Sequence, residues 1–187
     1  HTRLVSDWSS DVCSSDLKMQ WDLTCLGFAG QCHAEPLVAR VIRDLPADVI
    51  SLCLGINIQI LASMNLRTFR PAVIGMIAMI REKHANTPII VMSPIISPPR
   101  ETTENAVGMT LQMMRDELRD VVHLLRSRGD KHLYYINGLD IMGEEDIGDL
   151  PDQLHPNGAG YRKMAERVLE QFGKVLPPKV PSAGRQP

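Results

Sequence analysis

No apolar run in this 187-residue chain is long enough to cross a bilayer. Its longest apolar stretches, such as Val49–Leu54 and Pro88–Met92, are strand-sized, whereas a spanning helix needs about 20 residues. An excess of either charge is also missing. Lys and Arg number 20 against 22 Asp and Glu, a net charge of −2 with no basic block. That argues against nucleic acid as a main partner. Aromatic residues are only 4% of the chain, too few for platforms that stack single-stranded bases. Cysteine is sparse, at 13, 25, 32 and 53, and no two form a C-x-x-C pair. A disulfide scaffold is therefore not expected, and thiols in a reducing compartment are. No apolar signal core opens the chain, so the cytoplasm is the expected location. What is present is apolar content of 44%, which excludes wholesale disorder and suffices for the core of one domain.

His1–Leu17 stands apart from the rest. Five of its residues are Ser, it has no helical apolar stripe, and its Ser-Asp repetition resembles translated adaptor read-through. It is set aside from the fold as a tag would be. The expected limits are a non-native or disordered segment at 1–20, one domain at 21–175, and a Pro-rich tail at 176–187.

From Trp21 onward, apolar runs alternate with amphipathic stretches. Asp22–Phe28, Asp48–Leu54, Pro88–Met92 and His132–Ile136 read as buried strands. Pro36 opens a helix, where its missing N–H costs nothing. Arg67–His84 has helical spacing, as does Glu104–Ser127, whose Val107, Leu111, Met114, Leu118, Val121 and Leu125 step by four and three. Gly129 ends that helix. A last helix is expected over Gly158–Phe172. The alternation predicts an α/β fold with a parallel sheet covered on both faces. Ligands of such sheets bind beyond the carboxyl ends of the strands. That directs attention to Phe28–His33, Gly55–Ile58, Ser93–Arg100 and Gly138–Pro156.

Three of those segments hold residues suited to chemistry. Asp152 and His155, three apart in the loop before the last helix, suit a base and the carboxylate that orients it. Asn157 is a natural N-cap that would anchor the loop. Asn57 follows the second of these strands, where a side-chain N–H could donate to an oxyanion. Gly30 follows the first, where a glycine lets a backbone N–H approach a substrate oxygen. The G-x-G-x-x-G dinucleotide fingerprint is absent. Cys25, Cys32 and His33 fit no zinc spacing. Cys32 could be a nucleophile for His155. Ser93, followed by Pro94, suits a rigid loop better than attack. His84 and His132 read as surface or satisfied structural histidines.

The three segments, in order, resemble the SGNH hydrolases, the GDSL-type esterase and lipase family. Gly30 matches the glycine of block II, Gly55 and Asn57 match block III, and Asp152 with His155 match the D-x-x-H of block V. LGFAGQCH at 26–33, LCLGIN at 52–57 and LHPNGAGY at 154–161 carry the likeness, which covers Trp21 to Phe172. It implies a three-layer, flavodoxin-like parallel sheet and hydrolysis of a carboxylic ester through a Ser acyl-enzyme. It also implies no metal or cofactor. His155 would be the base, Asp152 its orienter, and Gly30 and Asn57 part of the oxyanion hole. The expected partner is a small-molecule ester. Two departures stand out. Ile58 takes the place of the block III Asp, and block I, with its nucleophilic Ser in a G-D-S turn, is absent. Ser6, Ser9, Ser10, Ser14 and Ser15 lie in the atypical segment, and none follows a strand and a glycine. The first strand is therefore expected to be missing along with the nucleophile, which would leave an open sheet edge. The rival reading is a non-catalytic α/β binding module or inactive remnant.

Overall fold

Ile89–Met92, here β4, is buried at every residue, and its side chains alternate between two separate apolar clusters. Ile89 and Val91 face one, Ile90 and Met92 the other. A strand buried on both sides needs a continuous apolar run, which is how the sequence reads there. The computed structural model describes residues 2–6, 21–27 and 30–176. Four further strands, β1 (Arg3–Ser6), β2 (Asp22–Cys25), β3 (Val49–Cys53) and β5 (Leu133–Ile136), complete a five-stranded parallel sheet. Its order is β2-β1-β3-β4-β5, the flavodoxin-like arrangement.

Helices cover both faces. The larger cluster packs α1 (Pro36–Asp44), α3 (Leu66–Arg81) and α4 (Leu111–Ser127) against one side. The smaller packs α5 (Gly158–Val175) and the loops after β4 and β5 against the other. A short α2 (Ile56–Ile60) follows β3 directly. The helix starts carry their own local reasons. Asn65 caps α3 reciprocally with Thr68, Thr110 caps α4 by accepting from the Met113 N–H, and Asn157 caps α5 as expected. No helix among the described residues is long and apolar enough to cross a membrane.

Three expectations are corrected. First, residues 3–6 are not outside the fold, and the internal place in the sheet is filled. β1 lies between β2 and β3, with Leu4 and Val5 each 1% exposed. The Arg3 carbonyl accepts from the Asp48 N–H at 2.9 Å, and Asp48 Oδ2 accepts from the Arg3 N–H at 2.8 Å. An internal strand this short needs one apolar side chain for each face, and burying each contributes about 1.5–3 kcal/mol. Leu4 and Val5 meet that requirement despite polar neighbours. The open internal edge does not arise; residues 7–20 and 177–187 lie outside the described residues. Second, β2 ends at Cys25 and is an edge strand, mostly exposed, because β1 takes the inner place. Third, α4 starts at Leu111 rather than Glu104. Asn105 Oδ1 accepts from the Val107 and Met109 N–H groups and closes a turn there, Gly108 has φ +74°, and Val107 is left exposed.

Candidate active site

In the 2-1-3-4-5 order the connections reverse direction between β1 and β3, and the crevice beyond their carboxyl ends is where such sheets bind ligands. Gly30 follows β2 and Asn57 follows β3, so the two flank the carboxyl end of β1. Ser6 is the last residue of β1, in register with Cys25 on one side and Ser51 on the other. It is part of a strand rather than of a turn after one, and no glycine precedes it. Ser9, Ser10, Ser14 and Ser15, and Phe28 and Ala29, lie outside the described residues.

Gly30 adopts φ +84°, the left-handed region where glycine alone carries no steric penalty. Gly55 has φ +121° and a second constraint. A Cβ there would meet Pro94 Cγ at 2.8 Å. The loop after β4 thus presses on the turn after β3. That turn leads into α2, and Asn57 sits in its first turn, half-buried. Its side-chain amide has no hydrogen-bond partner among the described residues, so both donors are available. Ile58, at the place of the family Asp, is fully buried in the larger core and cannot support Asn57 by hydrogen bonding.

The loop before α5 brings Asp152 and His155 together. Asp152 Oδ1 accepts from the backbone N–H of Leu154 at 3.0 Å and of His155 at 2.6 Å. Asp152 Oδ2 lies 2.6 Å from His155 Nδ1. The spacing explains the arrangement, because an Asp readily bonds the backbone two and three residues on. One carboxylate therefore closes the turn and holds the ring. The His155 backbone N–H, its imidazole and the Leu154 N–H keep the Asp152 carboxyl far below the usual carboxylate range. An ionised carboxylate has no proton to give, so Nδ1 donates, and neutral His155 presents Nε2 as an acceptor. Among the described residues Nε2 has no partner, and the His155 side chain is 68% exposed.

Sequence reasoning missed what lies behind this loop. Gln153, between the pair, has φ +61°, and its carbonyl accepts from Ser97 Oγ at 2.7 Å. Glu101 Oε1 accepts from the Ser97 N–H at 2.9 Å. Glu101 in turn pairs with buried Arg115, at 2.6 and 2.8 Å, which also donates to the Pro94 and Ile95 carbonyls. A signal existed: Leu111, Arg115, Leu118 and Val122 are a helical stripe, so a charge sits in line with core residues. A second cluster clamps the same loop to α5. Asp146 is buried and accepts from Lys163 at 2.7 Å and from Arg167, while Lys163 also reaches Asp149 at 2.7 Å. Burial pushes the Asp146 carboxyl up, but the two cations and the Gly143 N–H outweigh it and hold it low.

The remaining candidates have local partners. The Cys32 thiol donates to the Cys53 carbonyl at 3.7 Å, and His33 Nδ1 lies 2.7 Å from Ser63 Oγ. No group of three metal-ligating side chains occurs among the described residues. His84 is buried between Thr87 Oγ1 and the Leu45 carbonyl. Ser93 is buried, and its Oγ accepts from the Tyr135 hydroxyl and the Gly138 N–H, both at 3.0 Å. It braces the loop after β4, in keeping with a structural role.

Several solved structures share this fold. The salicylyl-acyltransferase SsfX3 of a tetracycline biosynthetic pathway is 28% identical, with a TM-score of 0.84 over 93% of this chain and 55% of its own. A Bacteroides ovatus protein assigned as a GDSL-like lipase is 21% identical, with a TM-score of 0.78 over 94% and 53%. The chain thus spans about half the length of these two. A Geobacillus acetyl-xylooligosaccharide esterase, 16% identical, shares the fold with a TM-score of 0.67 over 92% of this chain and 94% of its own. No curated protein matches the chain. The family model of the GDSL-like lipases and acylhydrolases matches residues 16–172, and the chain belongs to that family.

Proposed function

We propose that this chain carries the base and part of the oxyanion hole of a carboxylic-ester hydrolase, and that as written it lacks a competent nucleophile. The observation that carries the reading is the 2.6 Å contact from His155 Nδ1 to an anchored, ionised Asp152, with Nε2 left unpartnered among the described residues. In the complete reaction, Nε2 takes the proton of a serine hydroxyl as its oxygen attacks the ester carbonyl. The carbonyl oxygen becomes an oxyanion, and the Gly30 N–H and the Asn57 amide donate to it. The intermediate collapses, the C–O bond to the alcohol breaks, and His155 returns the proton to the leaving oxygen. Water then repeats the sequence on the acyl-enzyme. An acceptor alcohol in place of water makes the same steps an acyl transfer, and the 28% likeness to an acyltransferase supports that variant.

The nucleophile is the gap. Ser6 ends β1, and no Gly-Asp-Ser sequence follows it. An organophosphonate ester probe tests this. No serine should be labelled, and no burst of alcohol should precede steady turnover. Stoichiometric labelling of Ser6, Ser9, Ser10, Ser14 or Ser15 would overturn the incompleteness, and labelling of Cys32 would establish a thiol nucleophile. A chain repaired with a Gly-Asp-Ser turn after its first strand should hydrolyse a short-chain aryl ester. If it stays inert, the non-catalytic module is the better reading.

A further inference from the structure

Gln153 stands between the proposed base and its orienter in a left-handed conformation, φ +61°, that a non-glycine residue adopts only under constraint from outside. The constraint is visible. Ser97 is 1% exposed, and its hydroxyl meets two groups, Arg100 Nη1 at 2.9 Å and the Gln153 carbonyl at 2.7 Å. A guanidinium can only donate, so Arg100 fills an acceptor site on Ser97 Oγ and the single hydroxyl proton goes to Gln153. Ser97 is itself fixed, because its N–H donates to Glu101 and Glu101 is held by Arg115. Arg115 also spans the Pro94 and Ile95 carbonyls, so the loop after β4 forms one hydrogen-bonded frame. From that frame one hydroxyl reaches across to the loop before α5.

Resting on the proposed reaction for the role of His155, we infer that Ser97 is a positioning residue for the Asp152–His155 pair. The Glu101–Arg115 pair holds it in place, and it acts by pinning the Gln153 carbonyl. If the pin is lost, Gln153 relaxes toward negative φ and the peptide units on either side of it turn. The Leu154 and His155 N–H groups then leave Asp152 Oδ1, and Oδ2 loses its line to Nδ1. Asp152 and His155 are both exposed, so burial does not hold the ring in place of these bonds.

The test reads the ring itself in the 187-residue chain. Long-range ¹⁵N–¹H spectra, taken where imidazoles are neutral, report which ring nitrogen carries the proton. The parent should hold His155 as the Nδ1–H tautomer. Ser97→Ala should shift it toward the Nε2–H form that a free imidazole prefers, and Ser97→Thr should keep the parent pattern. Glycine takes the left-handed conformation without strain, so in a Gln153→Gly background Ser97→Ala should move the tautomer less. An unchanged Nδ1–H tautomer in folded Ser97→Ala would overturn the inference. So would equal shifts in the two backgrounds. Should Ser97→Ala alone not fold, the double variant decides: folded with the Nδ1–H tautomer it supports the pin, and unfolded it assigns Ser97 to the core instead. Inertness of the chain repaired with the nucleophile turn counts against the reaction alone, since the tautomer is read without turnover.

Discussion

The two halves of the candidate site are built from different materials. The base half is braced by polar side chains: Asp152 on its own turn, Ser97 on Gln153, and Asp146 clamped by Lys163 and Arg167. The proposed oxyanion half depends on backbone shape. Gly30 and Gly55 take conformations other residues avoid, Pro94 presses on Gly55, and the Asn57 amide is left without a partner among the described residues. A base must be aimed, and side-chain hydrogen bonds aim it. An oxyanion donor must be unspent, and a donor held by its backbone alone keeps its hydrogens for the transition state.

Substitutions can break this contrast, and the largest effect is expected at the base. In a chain repaired with the nucleophile turn, His155→Ala should lower kcat by about 10³-fold or more, measured on an aryl ester. Near-parent turnover would remove His155 from the mechanism. Next comes the clamp. Asp146→Ala leaves the partly exposed Lys163 and Arg167 without their shared partner and should destabilise the chain by about 1.5–3 kcal/mol in urea denaturation. The same carboxylate makes the base half sensitive to acid. Its folded pKa lies below the unfolded one, so its contribution is complete above the ordinary carboxylate pKa, about 3.9, and is lost as pH falls through the lower folded value. Asp146→Asn should flatten the acid limb of the stability profile.

The oxyanion half should respond differently. Asn57→Ala in the repaired chain should cost about 10²–10³-fold in kcat with little change in KM, because the donor matters mainly in the transition state. A change confined to KM would make Asn57 a substrate-binding or structural residue. Smallest is Gly55→Ala. The φ of +121° and the 2.8 Å approach to Pro94 Cγ together should cost about 1–3 kcal/mol, seen as a lower urea midpoint with no new pH dependence. An acid-dependent loss there would erase the distinction between the halves.

Some of this was legible before the structure. Asp152 and His155 could be paired from spacing, because a contact three residues apart is local and an Asp turn produces it. Asn157 as a cap follows for the same reason. Ser97 and Gln153 were not legible. They are 56 positions apart in the chain, and no local pattern signals that a hydroxyl on one loop meets a carbonyl on another. Arg115 and Glu101 fall between these cases. The charge within the stripe of α4 marked an ionic partner without saying which. The helix limit at Leu111 was missed because periodicity continued through Val107, and the Asn105 turn outweighed it.

By itself the sequence determined the alternation of strands and helices, the two-sided burial of the inner strands and the local Asp152–His155 turn. These rest on periodicity and short-range hydrogen bonds, which neighbouring residues settle among themselves. Tertiary structure decided the rest. It placed β1 between β2 and β3, because Leu4 and Val5 become a strand's worth of core only when a sheet exists on both sides of them. It also chose the partners of Ser97 and Asp146, since a buried polar group must be satisfied by whatever distant group the packing brings within reach.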